Sequence, residues 1–218
     1  MNMPLLVDGR DDATHTILLA HGAGAGMEHA GMQSLADAFV LRGMRVVRFE
    51  FPFMHARREG RRPGPDRMPK LQACFKEVIS SQSGPLVLAG RSMGGRVATM
   101  IADEVGAAAV IAFGYPFHPP RKPENLRTAH LEHLTTRTLI IQGERDPFGT
   151  PSDVANYTLS KSIELLWLED ADHSLTPRKR SGLTYESLVE TAADYAVAFL
   201  KAGAVTKEKP GHPGRQEW

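Results

Sequence analysis

Residues 86–95 have the sequence Leu-Val-Leu-Ala-Gly-Arg-Ser-Met-Gly-Gly, and this stretch decides the fold. Its first four residues form an apolar run of strand length, and a helical pattern begins near Gly94 and runs toward Gly106. Glycines on both sides of Ser92 predict a sharp turn, because a Cβ at Gly90 or Gly94 would collide with a neighbouring strand or helix. We therefore expect Ser92 on a strained strand–turn–helix connection, with its hydroxyl directed out of the sheet.

Short apolar runs and amphipathic stretches alternate along the rest of the chain. The predicted strands are Thr16 to Ala20, Arg45 to Phe51, Leu86 to Ala89, Ala108 to Phe113, Thr138 to Ile141 and Ile163 to Leu168. Helical stripes lie within Met32 to Val40, Leu71 to Ile79, Gly94 to Gly106 and Leu188 to Phe199. This alternation predicts the α/β class, as a three-layer αβα sandwich with a mostly parallel sheet of about six to seven strands.

The composition is that of an ordinary globular domain. The chain has 218 residues, of which 42% are hydrophobic, and 26 Lys and Arg balance 25 Asp and Glu. A net charge of +1 gives no general attraction to nucleic acid or to an anionic membrane, and we expect neither as a partner. A poor signal sequence and a single cysteine favour a cytoplasmic location. We expect one domain over residues 1–203 and a polar, flexible tail over residues 204–218.

A serine hydroxyl needs a neighbouring base, and His173 is the candidate. With a serine on this kind of turn, the partners follow in the order Ser, Asp or Glu, then His. Of nine histidines, His173 alone follows both Ser92 and a plausible acid in a loop directly after a strand. Loops at the carboxyl ends of parallel strands share one edge of the sheet, so these loops can meet over Ser92.

Asp146 is the favoured acid, because it lies just past a predicted strand and Pro147 disfavours helix there. It would hold the imidazole in one tautomer. Glu144 is the alternative, although it could pair with Arg145 or Arg137 instead. Two further carboxylates lie beside His173 and are expected to be solvated. These are Asp170 and Asp172.

The first long strand ends in His21-Gly-Ala-Gly-Ala-Gly-Met27, and backbone N–H groups in such a loop can bind an oxyanion. One donor is expected from Met93 and the other from Ala23, with Gly24 as the alternative. A dinucleotide-binding fingerprint is the competing interpretation, with Glu50 as the ribose partner, but its third glycine would fall at Met27.

Together these residues resemble the α/β-hydrolase superfamily. The resemblance runs from His15 to about Leu200 and rests on H-G-A-G-A-G, G-R-S-M-G-G, G-E-R-D-P and D-A-D-H in that order. It is nearest to the small lidless group related to dienelactone hydrolases, although Ser92 stands where those enzymes carry Cys. The resemblance implies the α/β-hydrolase fold. The gap from Gly114 to Arg137 has room for a short loop and about one helix, so we expect no lid domain and an open site.

A basic stretch follows the second long strand and is expected to be irregular. It contains Arg57, Arg58, Arg61, Arg62 and Arg67. Arg61 and Arg62 are candidates for binding an anionic substrate group, and a solvated or salt-bridged loop is the alternative. Arg91 is expected to anchor loops, and Cys74 to lie in the core. The pattern contains no metal-binding motif, and we expect neither a metal nor a cofactor.

The sequence therefore predicts a serine hydrolase that cleaves a small-molecule ester through Ser92, His173 and Asp146. Two alternatives stay open. One is a non-catalytic binding or scaffold module with the same fold. The other is a thioesterase or peptidase that uses the same three residues.

Overall fold

A seven-stranded sheet is the centre of the structure, a computed structural model that describes residues 4–205. The strands are β1 (Leu5–Asp8), β2 (Thr16–Ala20), β3 (Arg45–Phe49), β4 (Leu86–Arg91), β5 (Ala109–Phe113), β6 (Thr138–Gly143) and β7 (Ile163–Leu168). Their order is β1-β3-β2-β4-β5-β6-β7, and only β1 runs antiparallel to its neighbour. The prediction of a mostly parallel sheet is confirmed.

Helices cover both faces of this sheet. They are α1 (Ala30–Val40), α2 (Pro52–Arg58), α3 (Met68–Ser80), α4 (Met93–Val105), α5 (Pro151–Val154) and α6 (Tyr185–Val205). Helices α1 and α6 pack together on one face, and α3 and α4 on the other. The predicted three-layer sandwich is confirmed, and each face of the sheet has its own hydrophobic core.

Strand β2 shows why the central runs are continuously apolar. All five of its residues are buried, with Ile17 and Leu19 in the core beneath α1 and α6. Leu18 and Ala20 enter the opposite core, beneath α3 and α4. A strand with helices on both faces needs apolar side chains at successive positions, which removes the alternation of a half-exposed strand.

The structure corrects several boundaries. Strand β1 was not predicted, and α2 occupies the first part of the basic stretch that was expected to be irregular. Strand β3 ends at Phe49 rather than Phe51, since the chain turns there into α2. Helix α6 continues to Val205 and so includes the first two residues of the predicted tail. The rest of the predicted tail, from residue 206 on, lies outside the described residues.

Residues 114–137, between β5 and β6, contain a single short 3-10 helix (Ala129–Glu132). The expectation of a short connection without a lid domain is therefore confirmed. Within residues 4–205, none of the helices combines the length and the apolar character needed to cross a bilayer.

Candidate active site

Ser92 occupies the strained turn between β4 and α4. Its φ of 49° and ψ of −112° are unusual for a residue with a Cβ. The neighbouring glycines make this turn possible. A Cβ on Gly90 would lie 2.4 Å from the carbonyl carbon of Gly94, and one on Gly94 would lie 2.6 Å from the carbonyl oxygen of Ala20. Any larger residue at either position would push the turn away from the sheet.

Three side chains from distant parts of the sequence meet at this turn. His173 Nε2 lies 3.0 Å from Ser92 Oγ, and His173 Nδ1 lies 2.8 Å from Asp146 Oδ2. An ionised carboxylate only accepts hydrogen bonds, so Nδ1 carries the proton. Nε2 is then the acceptor for the Ser92 hydroxyl. The structure thus orders the three groups as hydroxyl, imidazole and carboxylate along one line of hydrogen bonds.

Asp146 is fully buried, and donors surround its carboxylate. Gln142 Nε2 donates to Oδ2 at 2.8 Å, and the N–H of Phe148 donates to Oδ1 at 2.8 Å. The ring of Phe148 also stacks on His173, with 4.2 Å between the ring centroids. These contacts fix both partners of the Asp146–His173 bond. Sequence reasoning missed Gln142, whose signal is a polar residue near the end of an otherwise apolar strand.

Gln142 also joins the Asp146 loop to the loop after β5. Its Oε1 accepts the N–H of Tyr115 at 2.7 Å, and its Nε2 lies 3.2 Å from the Tyr115 carbonyl oxygen. The side chain is completely buried. Because the amide uses both its donor and its acceptor atoms, an apolar residue of similar size would leave several buried polar groups unpaired.

The loop that carries His173 is braced by an ion pair that the sequence analysis did not anticipate. Asp170 was expected to be solvated, and this is wrong, since it is 8% exposed and pairs with Arg178 and Arg145. The Arg178 guanidinium lowers the pKa of Asp170 to about 2. Arg178 lies eight residues further along the chain, so local sequence gave no signal of this contact.

The other acidic candidates near His173 have structural roles. Glu144 is exposed and accepts the N–H of Asp170 at 3.1 Å, rather than pairing with an arginine. Asp172 Oδ1 accepts the N–H groups of Ser174 and Thr176, which closes the turn directly after His173. Neither carboxylate reaches His173 in place of Asp146.

The glycine-rich loop after β2 is held by the buried side chain of His21. Its Nε2 accepts the N–H of Phe51 at 3.0 Å, so Nδ1 carries the proton and donates to the Gly22 carbonyl at 2.6 Å. Burial lowers the pKa of His21, which favours this neutral form. In a trans peptide the C=O and N–H point in opposite directions, so the N–H of Ala23 points away from His21.

Arg57 holds the next carbonyl of the same loop. Its Nη1 donates to the Ala23 oxygen at 3.2 Å, and its Nε donates to the Pro63 oxygen at 3.0 Å. The guanidinium also lies over the ring of Phe53, at 5.1 Å from the centroid. Among residues 4–205, no group accepts a hydrogen bond from the N–H of Ala23 or Gly24. The loop therefore has fixed carbonyls and unused donors.

An open cleft of about 380 Å³ lies above Ser92 and is lined by the loops just described. Ala23, Gly24 and His173 contribute to its walls. Met93 is the first residue of α4, and its N–H has no acceptor within that helix. Arg61 and Arg62 are not brought to this cleft. They line a separate surface depression, where Arg61 pairs with Glu59.

Two other features of the sequence have structural explanations. Glu50 is 3% exposed, and its carboxylate binds the Arg58 guanidinium and the N–H of Met27. Its carboxylate is therefore not available to bind a ribose, and the dinucleotide-binding interpretation lacks the acidic residue that it requires. Cys74 is buried on α3, as predicted, and burial raises the pKa of its thiol to about 12.

Comparison with known proteins agrees with this architecture. A family model described as an α/β-hydrolase domain matches residues 13–201. A lidless α/β serine hydrolase from Xanthomonas campestris is 21% identical with a TM-score of 0.61, and the match covers 96% of this chain and 90% of that one. An α/β serine hydrolase homologue from Coxiella burnetii is 19% identical with a TM-score of 0.65, over 91% and 90% of the two chains. Est1E from Butyrivibrio proteoclasticus is 12% identical with a TM-score of 0.69, over 90% and 94%.

The fold and the arrangement around Ser92 define the class of protein as an α/β hydrolase. The family match covers most of the chain, and the chain belongs to the α/β-hydrolase family. It is accordingly a hydrolase. At these low identities the similarity to solved structures concerns the fold, and the substrate has to be argued from the site itself.

Proposed function

We propose that the protein is a serine esterase that hydrolyses small-molecule esters through an acyl-enzyme. The observation that carries this proposal is the continuous hydrogen-bonded line from Ser92 Oγ through His173 to the buried Asp146. This line supplies a nucleophile, a base that accepts its proton, and a carboxylate that fixes the tautomer of the base.

In the first half of the reaction, Ser92 Oγ attacks the acyl carbon of the ester while its proton moves to His173 Nε2. The carbonyl oxygen becomes an oxyanion, which the N–H groups of Met93 and Ala23 bind in this proposal. Collapse of the intermediate breaks the bond to the alcohol oxygen, and His173 returns the proton to that oxygen. Asp146 stabilises the transient imidazolium and stays ionised throughout.

In the second half, a water molecule attacks the acyl-enzyme and gives its proton to His173. The bond between the acyl carbon and Ser92 Oγ then breaks, and the proton returns to Oγ. The products are one carboxylic acid and one alcohol, and the enzyme is regenerated. The open cleft without a lid favours small esters whose acyl and alcohol parts can both reach solvent. Action in the cytoplasm is part of the same proposal.

Labelling with a fluorophosphonate and turnover of short-chain 4-nitrophenyl esters test this function. Wild-type protein should be labelled at Ser92, and Ser92→Ala should reduce kcat by about 10³-fold or more while leaving the fold intact. Ser174→Ala is the matched control, because Ser174 also lines the cleft but its hydroxyl makes no described hydrogen bond. Wild-type activity in Ser92→Ala would exclude the proposed mechanism. Acyl-CoA and peptide substrates, tested in parallel, measure thioesterase and peptidase activity for comparison with the esterase activity.

A further inference from the structure

The cleft above Ser92 contains one formal positive charge and no formal negative charge. Arg91 is the single Lys or Arg among its lining residues, and no Asp or Glu belongs to them. Among residues 4–205, no group forms a hydrogen bond or an ion pair with the Arg91 side chain. Arg91 was expected to anchor loops through its donors, and among these residues it makes no such contact. A partly buried guanidinium with five unused donors can bind an anion.

The guanidinium of Arg91 lies against the first turn of α1, in space left open by a glycine. A Cβ on Gly31 would lie 2.7 Å from Arg91 Nη1 and 3.2 Å from Tyr185 Oη. Tyr185 Oη in turn donates to the Gly31 carbonyl at 3.4 Å. Any side chain at position 31 would push the arginine out of this place. The charge therefore lies at the α1 side of the cleft, beside the first turn of that helix.

His29 adds a second donor on the same wall. Its Nδ1 accepts the N–H of Gly31 at 3.1 Å, so the neutral imidazole carries its proton on Nε2. His29 is exposed and lines the cleft. The α1 side of the cleft therefore offers donors from Arg91 and His29, and the residues that line the cleft include no carboxylate to neutralise the arginine.

We propose that this hydrolase selects esters that carry a carboxylate, and that Arg91 is the residue that binds it. The inference rests on the proposed esterase function and names its substrate class. A guanidinium matches a carboxylate with two parallel hydrogen bonds. One arginine balances the single charge of a carboxylate, whereas the double charge of a phosphate would be only half neutralised. A cleft of about 380 Å³ suits short half-esters of dicarboxylic acids.

The test compares two substrates of equal chain length, 4-nitrophenyl hemiglutarate and 4-nitrophenyl pentanoate. We expect wild type to prefer the hemiglutarate. In Arg91→Gln the ratio of the two kcat/KM values should fall by roughly 10- to 100-fold, as expected for loss of a charge-assisted pair. Arg91→Lys should keep part of the preference. Arg180→Gln removes the same charge from an exposed position outside the cleft and should leave the ratio unchanged.

A binding measurement separates this inference from the proposed function. Calorimetric titration of glutarate into Ser92→Ala should show binding that Arg91→Gln abolishes in the same background. Turnover of both esters with a ratio that Arg91→Gln does not change would overturn the role of Arg91 and leave the esterase proposal standing. Turnover of neither ester by wild type would count against the esterase proposal. The glutarate titration would then decide on Arg91 alone, and binding that is absent or independent of Arg91 would reject it.

Discussion

Replacing Arg57 with methionine tests whether this residue positions the oxyanion-binding loop. The change keeps an unbranched stem over Phe53 and removes the hydrogen bonds to the carbonyls of Ala23 and Pro63. Arg57 touches no reacting atom in our proposal, so it is a positioning residue. Arg57 holds the Ala23–Gly24 peptide, which directly follows the Gly22–Ala23 peptide whose N–H is the proposed oxyanion donor. Its effect should therefore reach the reaction through the backbone conformation at Ala23.

The expected magnitude is bounded by two quantities. Complete loss of one oxyanion donor costs about 10²- to 10³-fold in kcat. His21 still holds the Gly22 carbonyl in the variant, so the loop keeps one of its two restraints. A hydrogen bond to a charged group contributes about 1.5–3 kcal/mol. We therefore expect kcat to fall about 10- to 100-fold in Arg57→Met, with KM changed much less.

Steady-state hydrolysis of a neutral 4-nitrophenyl ester gives kcat and KM, and circular dichroism reports the fold. A boronic acid that forms a tetrahedral adduct with Ser92 should bind Arg57→Met more weakly than wild type, by a factor similar to the loss of kcat. Arg62→Met is the matched control, because Arg62 lies in the same basic stretch but makes no described hydrogen bond to the loop that contains Ala23. A kcat for Arg57→Met within about threefold of wild type, with unchanged boronate affinity, would refute the reasoning.

Two further predictions concern the acid loop and a half-buried histidine. Gln142→Leu should lower the free energy of unfolding by about 2–4 kcal/mol and reduce kcat, because the Tyr115 N–H loses its acceptor and the Asp146 carboxylate loses one of its donors. Urea unfolding and ester turnover measure these two effects. Burial lowers the pKa of His130 to about 4, so the unfolded state takes up its proton first as the pH falls from about 6.5. The free energy of unfolding should therefore fall between pH 6.5 and pH 4. After allowance for solvent screening, we expect this fall to be about 1–2 kcal/mol larger in wild type than in His130→Asn. Urea titrations at the two pH values measure it, and an equal fall in both proteins would contradict the prediction.

The long strands of the fold could be predicted because their burial produces a recognisable apolar pattern in the local sequence. Strands β2, β4, β5 and β6 are buried on both faces over most of their length, and each contains an apolar run of at least four residues with at most one polar residue at its start. Strand β1 is short and half-exposed, and it exists through its antiparallel pairing with β3, some forty residues away. Helix α2 has three buried residues and four polar or proline positions around them, which gives too little periodicity to separate it from a loop.

The candidate nucleophile, base and acid could be found because their order along the chain and their places after strands are local features. The residues that support them could not be found in this way. His21, Gln142 and Asp170 each act through a partner that only the folded chain brings near, namely Phe51, Tyr115 and Arg178. Whether a polar side chain is buried depends on such contacts with residues elsewhere in the chain. These contacts leave no local pattern from which a single sequence would predict them.

The spacing of the three candidate catalytic residues follows from the sheet more than from their own contacts. Beyond the strands, the N–H of Ser92 donates to the Phe113 carbonyl, that of Gly114 to Ile141, and that of Glu144 to Leu168, at 2.8, 2.8 and 3.1 Å. These bonds extend the ladder across β4, β5, β6 and β7, so the turn at Ser92 and the loops of Asp146 and His173 share one rigid edge. The strained backbone conformation of Ser92 persists because the hydrogen bonds of this ladder hold the residues on both sides in place. Arg91 is the last residue of β4 and pairs with Phe113 in this ladder, whereas its guanidinium lies beside Gly31 in the first turn of α1. A change of its side chain therefore leaves the backbone pairing that positions the nucleophile in place.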